Sequence, residues 1–295
     1  FESIIDNSRD PDELLRAWSG WREISPPMKD KYLRMVEIGN QGSNDLGFDG
    51  LSELWFSKYD MSNEDFSLLV DQVYEDMRPL YEGLQCHVRA ELNEYYGDEI
   101  VPLSEPIPAH LLGNMWAQSW SNISDIVYDF DETSSIDLTQ IILDRGLSEV
   151  EMVKIAEDFF LSLGFDPLPD TFWQRSLFTK PQDRDVVCHA SAWDIDSQKQ
   201  DLRIKMCIEK NEEDFITIHH ELGHIFYYQA YANLPEIFQS GANDGFHEAV
   251  GDLLSLSITP SYLKDIGFIS QDEAERSKEN AIGLLMKQAL EGVVA

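Results

Sequence analysis

Basic residues are scarce in this sequence. Its 295 residues include 22 lysines and arginines against 55 aspartates and glutamates, which gives a net charge of −33 at pH 7. Because binding to a phosphate backbone requires clustered Lys and Arg side chains, this composition excludes nucleic acid as a partner. Two interpretations of the acidic charge stay open: an electric field that attracts cationic peptides, and a surface that keeps the protein soluble.

Long apolar runs are also absent. No stretch approaches the roughly 20 apolar residues that a membrane-spanning helix needs, so we predict no membrane segment. The sequence begins at Phe1, without the basic start and apolar stretch of a signal peptide, and we expect this terminus to lie inside a longer precursor. With 43% hydrophobic and 11% aromatic residues, the chain should fold around a substantial core, as one large domain or two ordinary ones.

Cysteines are few: Cys86, Cys188 and Cys207. None has the CxxC spacing that is typical of a metal site. Cys188 and Cys207 lie on either side of a predicted β-hairpin and could form one disulfide, which would favour an extracytoplasmic location. Cys86 would then remain as a free thiol, and we expect it to be buried on a helix.

The remaining pattern is mostly helical. Capping motifs, stop signals and apolar periodicity predict several helices. The predicted helical segments are 62–96, 148–164, 211–232, 245–257 and 270 to near the end of the chain. Segments 186–195 and 202–208 instead alternate in polarity, are richer in β-branched residues and flank a polar turn. We therefore predict a mainly α fold with a small β-hairpin just before the helix at 211–232.

The segment His220-Glu-Leu-Gly-His224 is an HExxH motif. Residues four apart project from one face of a helix, so both imidazoles can reach a single ion. Glu221 is rotated by about 100° from His220, which places it beside the ion, where it can take a proton from a water molecule. The alternative is an exposed helix face, but the apolar residues around the motif predict partial burial, and buried histidines need partners.

Glu248, in Gly245-Phe-His-Glu-Ala-Val-Gly-Asp252, is the predicted third ligand. A His, His, Glu set with one open position is typical of catalytic zinc. Asp252 lies one turn further along the same face, where it can accept the free ring N–H of a ligating histidine. The alternative for both acids is a solvated acidic face. His219 and His247 adjoin the ligands but face other directions, so we expect them to pack or to support a ligand.

Four sequence blocks together resemble the peptidyl-dipeptidase family typified by angiotensin-converting enzyme. The blocks are PAHLLGNMWAQSWSN at 108–122, VCHASAW at 187–193, HHELGH at 219–224 and GANDGFHEAVGD at 241–252. Their order, and the 23 residues between His224 and Glu248, match the family. The resemblance covers nearly the whole chain and implies a gluzincin, a zinc peptidase whose third ligand is a glutamate. It also implies the release of C-terminal dipeptides from oligopeptides.

The resemblance assigns substrate-binding roles outside the two motif helices. His189 and the backbone of Ala190 and Ala192 would line the substrate groove. This agrees with an extended peptide pairing with a strand edge beside the metal helix. Gln118 would help to bind the C-terminal carboxylate of the substrate.

The resemblance further implies a disulfide between Cys188 and Cys207 and a chloride ion at Arg22. At the family's second chloride site, the tyrosine is replaced by Phe48, which lacks the hydroxyl group. This departure weakens the expectation of chloride activation.

Family members are longer than this sequence. Their N-terminal lid helices do not occur in it, and neither does the C-terminal part. That part carries the lysine and tyrosine of the carboxylate clamp and the histidine and tyrosine that stabilise the tetrahedral intermediate. We therefore expect residues 1–295 to form a partial catalytic domain, incomplete relative to the family's two-lobed domain, and weakly active or inactive alone.

The sequence thus predicts zinc-assisted hydrolysis of a peptide bond, with Glu221 as the base. Two alternatives stay open. One is a gluzincin peptidase of other end specificity, and the other is a zinc-binding homologue that no longer catalyses and serves as a peptide-binding scaffold. The intact Glu221 argues against a loss of catalysis.

Overall fold

A computed structural model of the protein describes residues 1–128, 136–279, 286, 289 and 290. Helices account for 62% of the chain, which confirms the predicted mainly α fold. The helices are α1 (Glu2–Asn7), α2 (Pro11–Arg22), α3 (Lys29–Asp45), α4 (Leu51–Phe56), α5 (Asn63–Tyr96), α6 (Ser124–Val127), α7 (Leu138–Asp144), α8 (Glu149–Ser162), α9 (Asp170–Arg175), α10 (Glu212–Ala232), α11 (Asp244–Ser255), α12 (Pro260–Asp265) and α13 (Gln271–Glu279). None of the described helices is both long and apolar enough to cross a membrane.

The chain forms two compact units, each with its own hydrophobic core. The first unit comprises the described residues of 1–135 and 279–295 and contains α1 to α6. The second unit comprises residues 136–278 and contains α7 to α12, most of α13 and both strands. The two histidines of the HExxH motif, Glu248 and the predicted hairpin all belong to the second unit.

The long helix α5 shows how closely sequence signals fix an element of the first unit. The Ser62 side chain caps its N terminus, and Gly97, with φ of 87°, ends it. A positive φ favours glycine, which has no Cβ to clash. Leu84, Val88 and Leu92 are buried at intervals of one turn and anchor α5 in the core. The predicted bounds of this helix are confirmed.

Cys86 lies on α5, but the prediction that its thiol is buried is wrong: Cys86 is free and exposed. Leu84 and Val88 are each two residues away, which is about 200° around a helix with 3.6 residues per turn. Cys86 therefore points away from the core that these two residues occupy.

Helix α10 is the central element of the second unit. It packs against α7, α8, α11 and both strands, and Phe226 stacks on Phe160 of α8 with ring centroids 4.3 Å apart. His219 is fully buried on the core side, where Nδ1 donates to the carbonyl of Phe215 (2.8 Å) and Nε2 lies 3.2 Å from the Tyr262 hydroxyl. Burial lowers the pKa of His219 to about 4. His219 is therefore a neutral core residue.

The hairpin consists of β1 (Ser191–Asp196) and β2 (Asp201–Lys205), antiparallel, with Ala192 opposite Ile204. A short 3₁₀ helix at Ser197–Lys199 replaces the simple turn that we predicted. Both strands are shorter than predicted. Residues 206 and 208 donate main-chain hydrogen bonds to Leu177 and Phe178 instead of pairing with residues 186–190.

The predicted disulfide is present. Cys188 and Cys207 are bonded across the entry and exit of the hairpin, with their Cα atoms 5.1 Å apart. The bond fixes the segment that leads into β1 next to the segment that leaves β2.

Thiol counting tests both cysteine assignments. Under native, non-reducing conditions we expect a thiol-specific reagent to modify one cysteine at once, because Cys86 is exposed and the other two are bonded. Denaturation without a reductant should add no further thiol, and Cys86→Ser should abolish the reaction. Three reactive thiols after denaturation would contradict the disulfide.

Asp201, at the start of β2, forms the densest ion-pair group of the hairpin. Arg203 donates to both of its carboxylate oxygens, from Nε at 2.8 Å and from a terminal nitrogen at 2.7 Å, and Arg175 adds a further bond. The hydrogen bonds from Arg203, followed by the bond and charge of Arg175, lower the pKa of Asp201 to about 2 against the opposing effect of burial. The charged carboxylate therefore stabilises the fold.

This group predicts a pH dependence of stability. Because the folded pKa lies below the usual value of about 3.9, the stabilisation is present above pH 4 and is lost as the pH falls towards 2. We expect Asp201→Asn to lower the melting temperature at pH 7, and the difference from the wild type to shrink between pH 5 and pH 2. Asp183→Asn is the control, because that carboxylate and its partner Arg184 are both exposed. A constant difference across this pH range would contradict the assignment.

Candidate metal centre

Two neighbouring helices bring three potential ligands together. His220 and His224 project from α10, and Glu248 projects from α11, whose N terminus is capped by the Asn243 side chain. The two Nε2 atoms are 3.1 Å apart. The Glu248 carboxylate oxygens lie 3.2 Å from His220 Nε2 and 3.7 Å from His224 Nε2. The three side chains predicted as a ligand set thus form one cluster, with ligand atoms within 4.8 Å of one another.

The proton positions make this cluster suitable for a cation. Asp252 Oδ1 lies 3.0 Å from Nδ1 of His220, so the proton of that ring belongs on Nδ1 and its Nε2 presents a lone pair. Nε2 of His224 and the Glu248 carboxylate face the same point. Ligands at about 2.0–2.2 Å from a tetrahedral zinc ion are roughly 3.3–3.6 Å apart. The observed separations of 3.1 to 3.7 Å therefore fit this geometry.

Glu221 lies next to this cluster in a secluded position. Its side chain is 6% exposed, and Oε2 accepts no hydrogen bond from any described residue. Burial raises the pKa of Glu221; the charge of His220 lowers it, Glu248 raises it and His189 lowers it. A buried carboxylate with a raised pKa and a vacant oxygen can accept a proton at neutral pH.

Two glycines allow the helices to approach closely enough to form the cluster. A Cβ atom on Gly223 would lie 2.9 Å from the Cα of Gly251. A Cβ atom on Gly251 would lie 2.8 Å from the ring of His220. Contacts shorter than 3 Å are not tolerated by carbon atoms in a close-packed interior. The separation of α10 and α11 therefore depends on the missing side chains of these two residues.

Tyr228 is a residue near the cluster that our sequence analysis did not identify. It follows His224 by one turn on α10. Burial raises the pKa of its hydroxyl, and the negative charges of Asp194, Glu221 and Glu248 raise that pKa further. The spacing of four residues from His224 was the available signal, because it places Tyr228 on the same helix face.

One edge of β1 is open. The main-chain N–H and C=O of Ile204 point away from β1, towards Ser176 and Leu177. In an antiparallel pair the opposite residue then also points away, so the N–H and C=O of Ala192 face the other edge. No strand among the described residues pairs there.

The remaining residues assigned by the resemblance lie in three places. His189 is exposed, its Nδ1 donates to the carbonyl of Ala190 (2.8 Å), and its charge acts on Glu221. Ala190 precedes β1 and is partly buried. Gln118 and Arg22 belong to the first unit.

Within that unit, Gln118 is exposed, and its backbone N–H donates to the Asn114 side chain. The Arg22 guanidinium donates to the carbonyls of Trp18 and Met115 and lies 3.5 Å from the centroid of the Trp18 ring. Phe48, half-buried, donates its backbone N–H to Ser43 in the turn after α3.

Comparisons with known proteins show the family to which the chain belongs. The family model of peptidase family M2, described as angiotensin-converting enzyme, matches residues 1–295. The chain is 42% identical over 294 residues to angiotensin-converting enzyme of Sus scrofa. The aligned region covers 99% of this chain and 22% of that protein. It is 40% identical over 296 residues to angiotensin-converting enzyme of Haematobia irritans exigua, and the alignment covers 99% of this chain and 48% of that protein. It is also 40% identical over 289 residues to angiotensin-converting enzyme of Theromyzon tessulatum, and the alignment covers 97% of this chain and 46% of that protein.

These matches assign the mainly helical chain to a family of metallopeptidases. The chain belongs to peptidase family M2, the angiotensin-converting enzyme family. It spans less than half the length of each of the three relatives. The family itself is one of zinc-dependent peptidases.

The glycine contact between the motif helices predicts a specific effect on stability. Gly223→Ala should lower the free energy of unfolding by about 1–3 kcal/mol, because the new methyl group overpacks the interface with Gly251. Gly83→Ala is the matched control, since Gly83 is also helical but has no atom within 4 Å of an added Cβ. It should raise stability by about 0.5–1 kcal/mol. Urea unfolding measures both changes in the free energy of unfolding. Equal changes in the two variants would contradict a special role for the close contact between Gly223 and Gly251.

Proposed function

We propose that this protein is a zinc-dependent peptidyl-dipeptidase that binds one zinc ion per chain through His220, His224 and Glu248. The observation that carries this proposal is the convergence of two imidazole Nε2 atoms and a carboxylate on one point. Asp252 supports it, because its carboxylate accepts the Nδ1 proton of His220 and leaves Nε2 free for the metal. When bound, zinc polarises the scissile carbonyl and lowers the pKa of a coordinated water.

Glu221 is the proposed general base. Its vacant carboxylate oxygen would take a proton from the attacking water and return it to the leaving amine. Burial favours this role, because it raises the affinity of the carboxylate for the proton that it must carry between the two steps. The exchange requires no movement of α10, since Glu221 and both histidine ligands are on the same helix.

The proposed substrate is an oligopeptide in extended conformation. The open edge of β1 offers the N–H and C=O of Ala192 to a peptide backbone, the mode in which a strand is added to a sheet. His189 and Ala190 precede this edge and would line the same groove. Gln118 would bind the C-terminal carboxylate of the substrate through its amide N–H. The release of C-terminal dipeptides is the specificity that the family resemblance implies.

Two further elements of the proposal concern location and chloride. The disulfide between Cys188 and Cys207 favours an extracytoplasmic location, where such bonds persist. Chloride at Arg22 is implied by the resemblance alone. Nitrogens of that guanidinium already donate to main-chain carbonyls, so an anion would share the group with the backbone.

Metal analysis and a peptide assay test the proposal. We expect one zinc ion per wild-type chain. In Glu248→Ala the zinc affinity should fall about 100-fold or more, because losing a metal ligand weakens binding at least as much as losing a residue that supports a ligand. Glu236→Ala removes an equally negative but exposed side chain and should bind zinc normally. Glu221→Gln should retain zinc and lose roughly 10²–10⁴-fold in hydrolysis, because the proton acceptor is gone.

The assay uses an N-acetylated oligopeptide and identifies products by mass spectrometry, with this chain and with a protein extended at its C-terminal end. Dipeptides from the C terminus support the proposal, and single residues or N-terminal fragments indicate another end specificity. Zinc binding without hydrolysis by either protein would favour the scaffold. Equal zinc affinity in Glu248→Ala would remove Glu248 from the ligand set.

A further inference from the structure

We propose that His247 is a positioning residue for His224: it accepts the Nδ1 proton of His224 and so keeps Nε2 of that ring available to the metal. This inference rests on the proposed zinc site. The sequence alone is compatible with either packing or support of a ligand at His247, and the contacts of its ring distinguish between these two roles.

The imidazoles of His224 and His247 meet edge to edge. Their Nδ1 atoms are 3.4 Å apart, and the Nε2 of His247 lies 3.2 Å from the hydroxyl of Tyr231. A neutral imidazole carries one N–H and one lone pair. A consistent arrangement places the proton of His247 on Nε2, directed at Tyr231, and leaves Nδ1 to accept from His224. Nε2 of His224 then carries a lone pair that faces Nε2 of His220 and the Glu248 carboxylate.

This arrangement completes the support of both histidine ligands from one helix. Asp252 accepts the Nδ1 proton of His220 at 3.0 Å, and His247 accepts that of His224. Asp252 and His247 both lie on α11, as Glu248 does. The two partners differ in charge. A carboxylate in place of His247 would add a negative charge beside Glu221 and Glu248, and like charges in a partly buried site are costly. A neutral acceptor fixes the ring without that cost.

The ring of His247 is clamped on several sides. Its centroid lies 4.6 Å from that of Tyr227 and 4.9 Å from that of Tyr228. A Cβ atom on Gly241 would lie 2.7 Å from Cδ2 of His247, so the loop before α11 presses directly on the ring. Tight packing of this kind selects one orientation of a side chain. His247 is therefore oriented by its surroundings and can orient His224 in turn.

Three substitutions at one position separate this role from simple packing. His247→Asn keeps an amide oxygen near the position of Nδ1, His247→Gln places its amide near Nε2, and His247→Phe keeps the ring shape without nitrogen. We expect the His247→Asn variant to bind zinc nearly as tightly as the wild type. Gln and Phe should lose about 10–100-fold in zinc affinity, the usual effect of removing a partner of a metal ligand. Zinc affinity is measured by competition with a chelator, and the absorption spectrum of the cobalt-substituted protein reports the ligand geometry.

Gly241→Ala provides a test that leaves His247 unchanged. The added methyl group should displace the ring, weaken zinc binding and shift the cobalt spectrum in the same direction as His247→Phe. If His247→Phe does not fold, as judged by circular dichroism, the comparison of Asn with Gln decides the question.

The outcomes separate this inference from the proposed function. If the wild-type chain binds no zinc, the metal site is wrong and the inference falls with it. If the wild type binds zinc and His247→Phe binds it equally well, the site stands and only the inference is overturned. Equal losses in Asn, Gln and Phe would show that the ring acts by packing alone.

Discussion

The candidate metal centre depends on how closely α10 approaches α11. Gly223 and Gly251 meet backbone to backbone, so the two helix axes come nearer than any pair of larger residues would allow. At this separation His220 Nε2 and a carboxylate oxygen of Glu248 lie 3.2 Å apart. Glycine in a helix costs conformational entropy, but here the absence of a side chain determines the geometry of the whole site.

The same helix serves two environments. On one side of α10, Phe215, Ile218 and Leu222 are fully buried in the core of the second unit. On the other side, His220 and His224 face the acidic residues of α11. The neighbours His219 and His220 illustrate the division. The first is neutral because the core surrounds it, whereas the second donates Nδ1–H to the Asp252 carboxylate and directs Nε2 towards the point that Glu248 also faces. An anchored helix of this kind gives the site a rigid base.

Features that repeat along one helix were predictable from the sequence. The helix bounds, the shared face of His220 and His224, and the shared face of Glu248 and Asp252 follow from capping signals and a period of 3.6 residues. Contacts that depend on how two elements cross were not. The meeting of His247 with His224 requires the separation that the glycines set, and no pattern within a single helix encodes it.

Two predictions from the sequence were wrong, each for its own reason. The strands are shorter than the alternating pattern suggested, because residues 206 and 208 bond to Leu177 and Phe178, more than 25 residues earlier in the chain. Alternation shows that a segment is extended but does not identify its partner. The burial of Cys86 was expected from residue type alone, whereas the positions of Leu84 and Val88 show which face of the helix is inside.

The alternation of β1 has a consequence for selectivity. Only every second residue of an edge strand directs its N–H and C=O outward, so Ala192 and Asp194 offer hydrogen bonds while Trp193, between them, is paired with β2. In the proposed binding mode, a peptide aligned along this edge would be recognised through the main-chain groups that all sequences share. Main-chain hydrogen bonds of this kind would not distinguish one peptide sequence from another, so any sequence preference would come from the pockets around the edge.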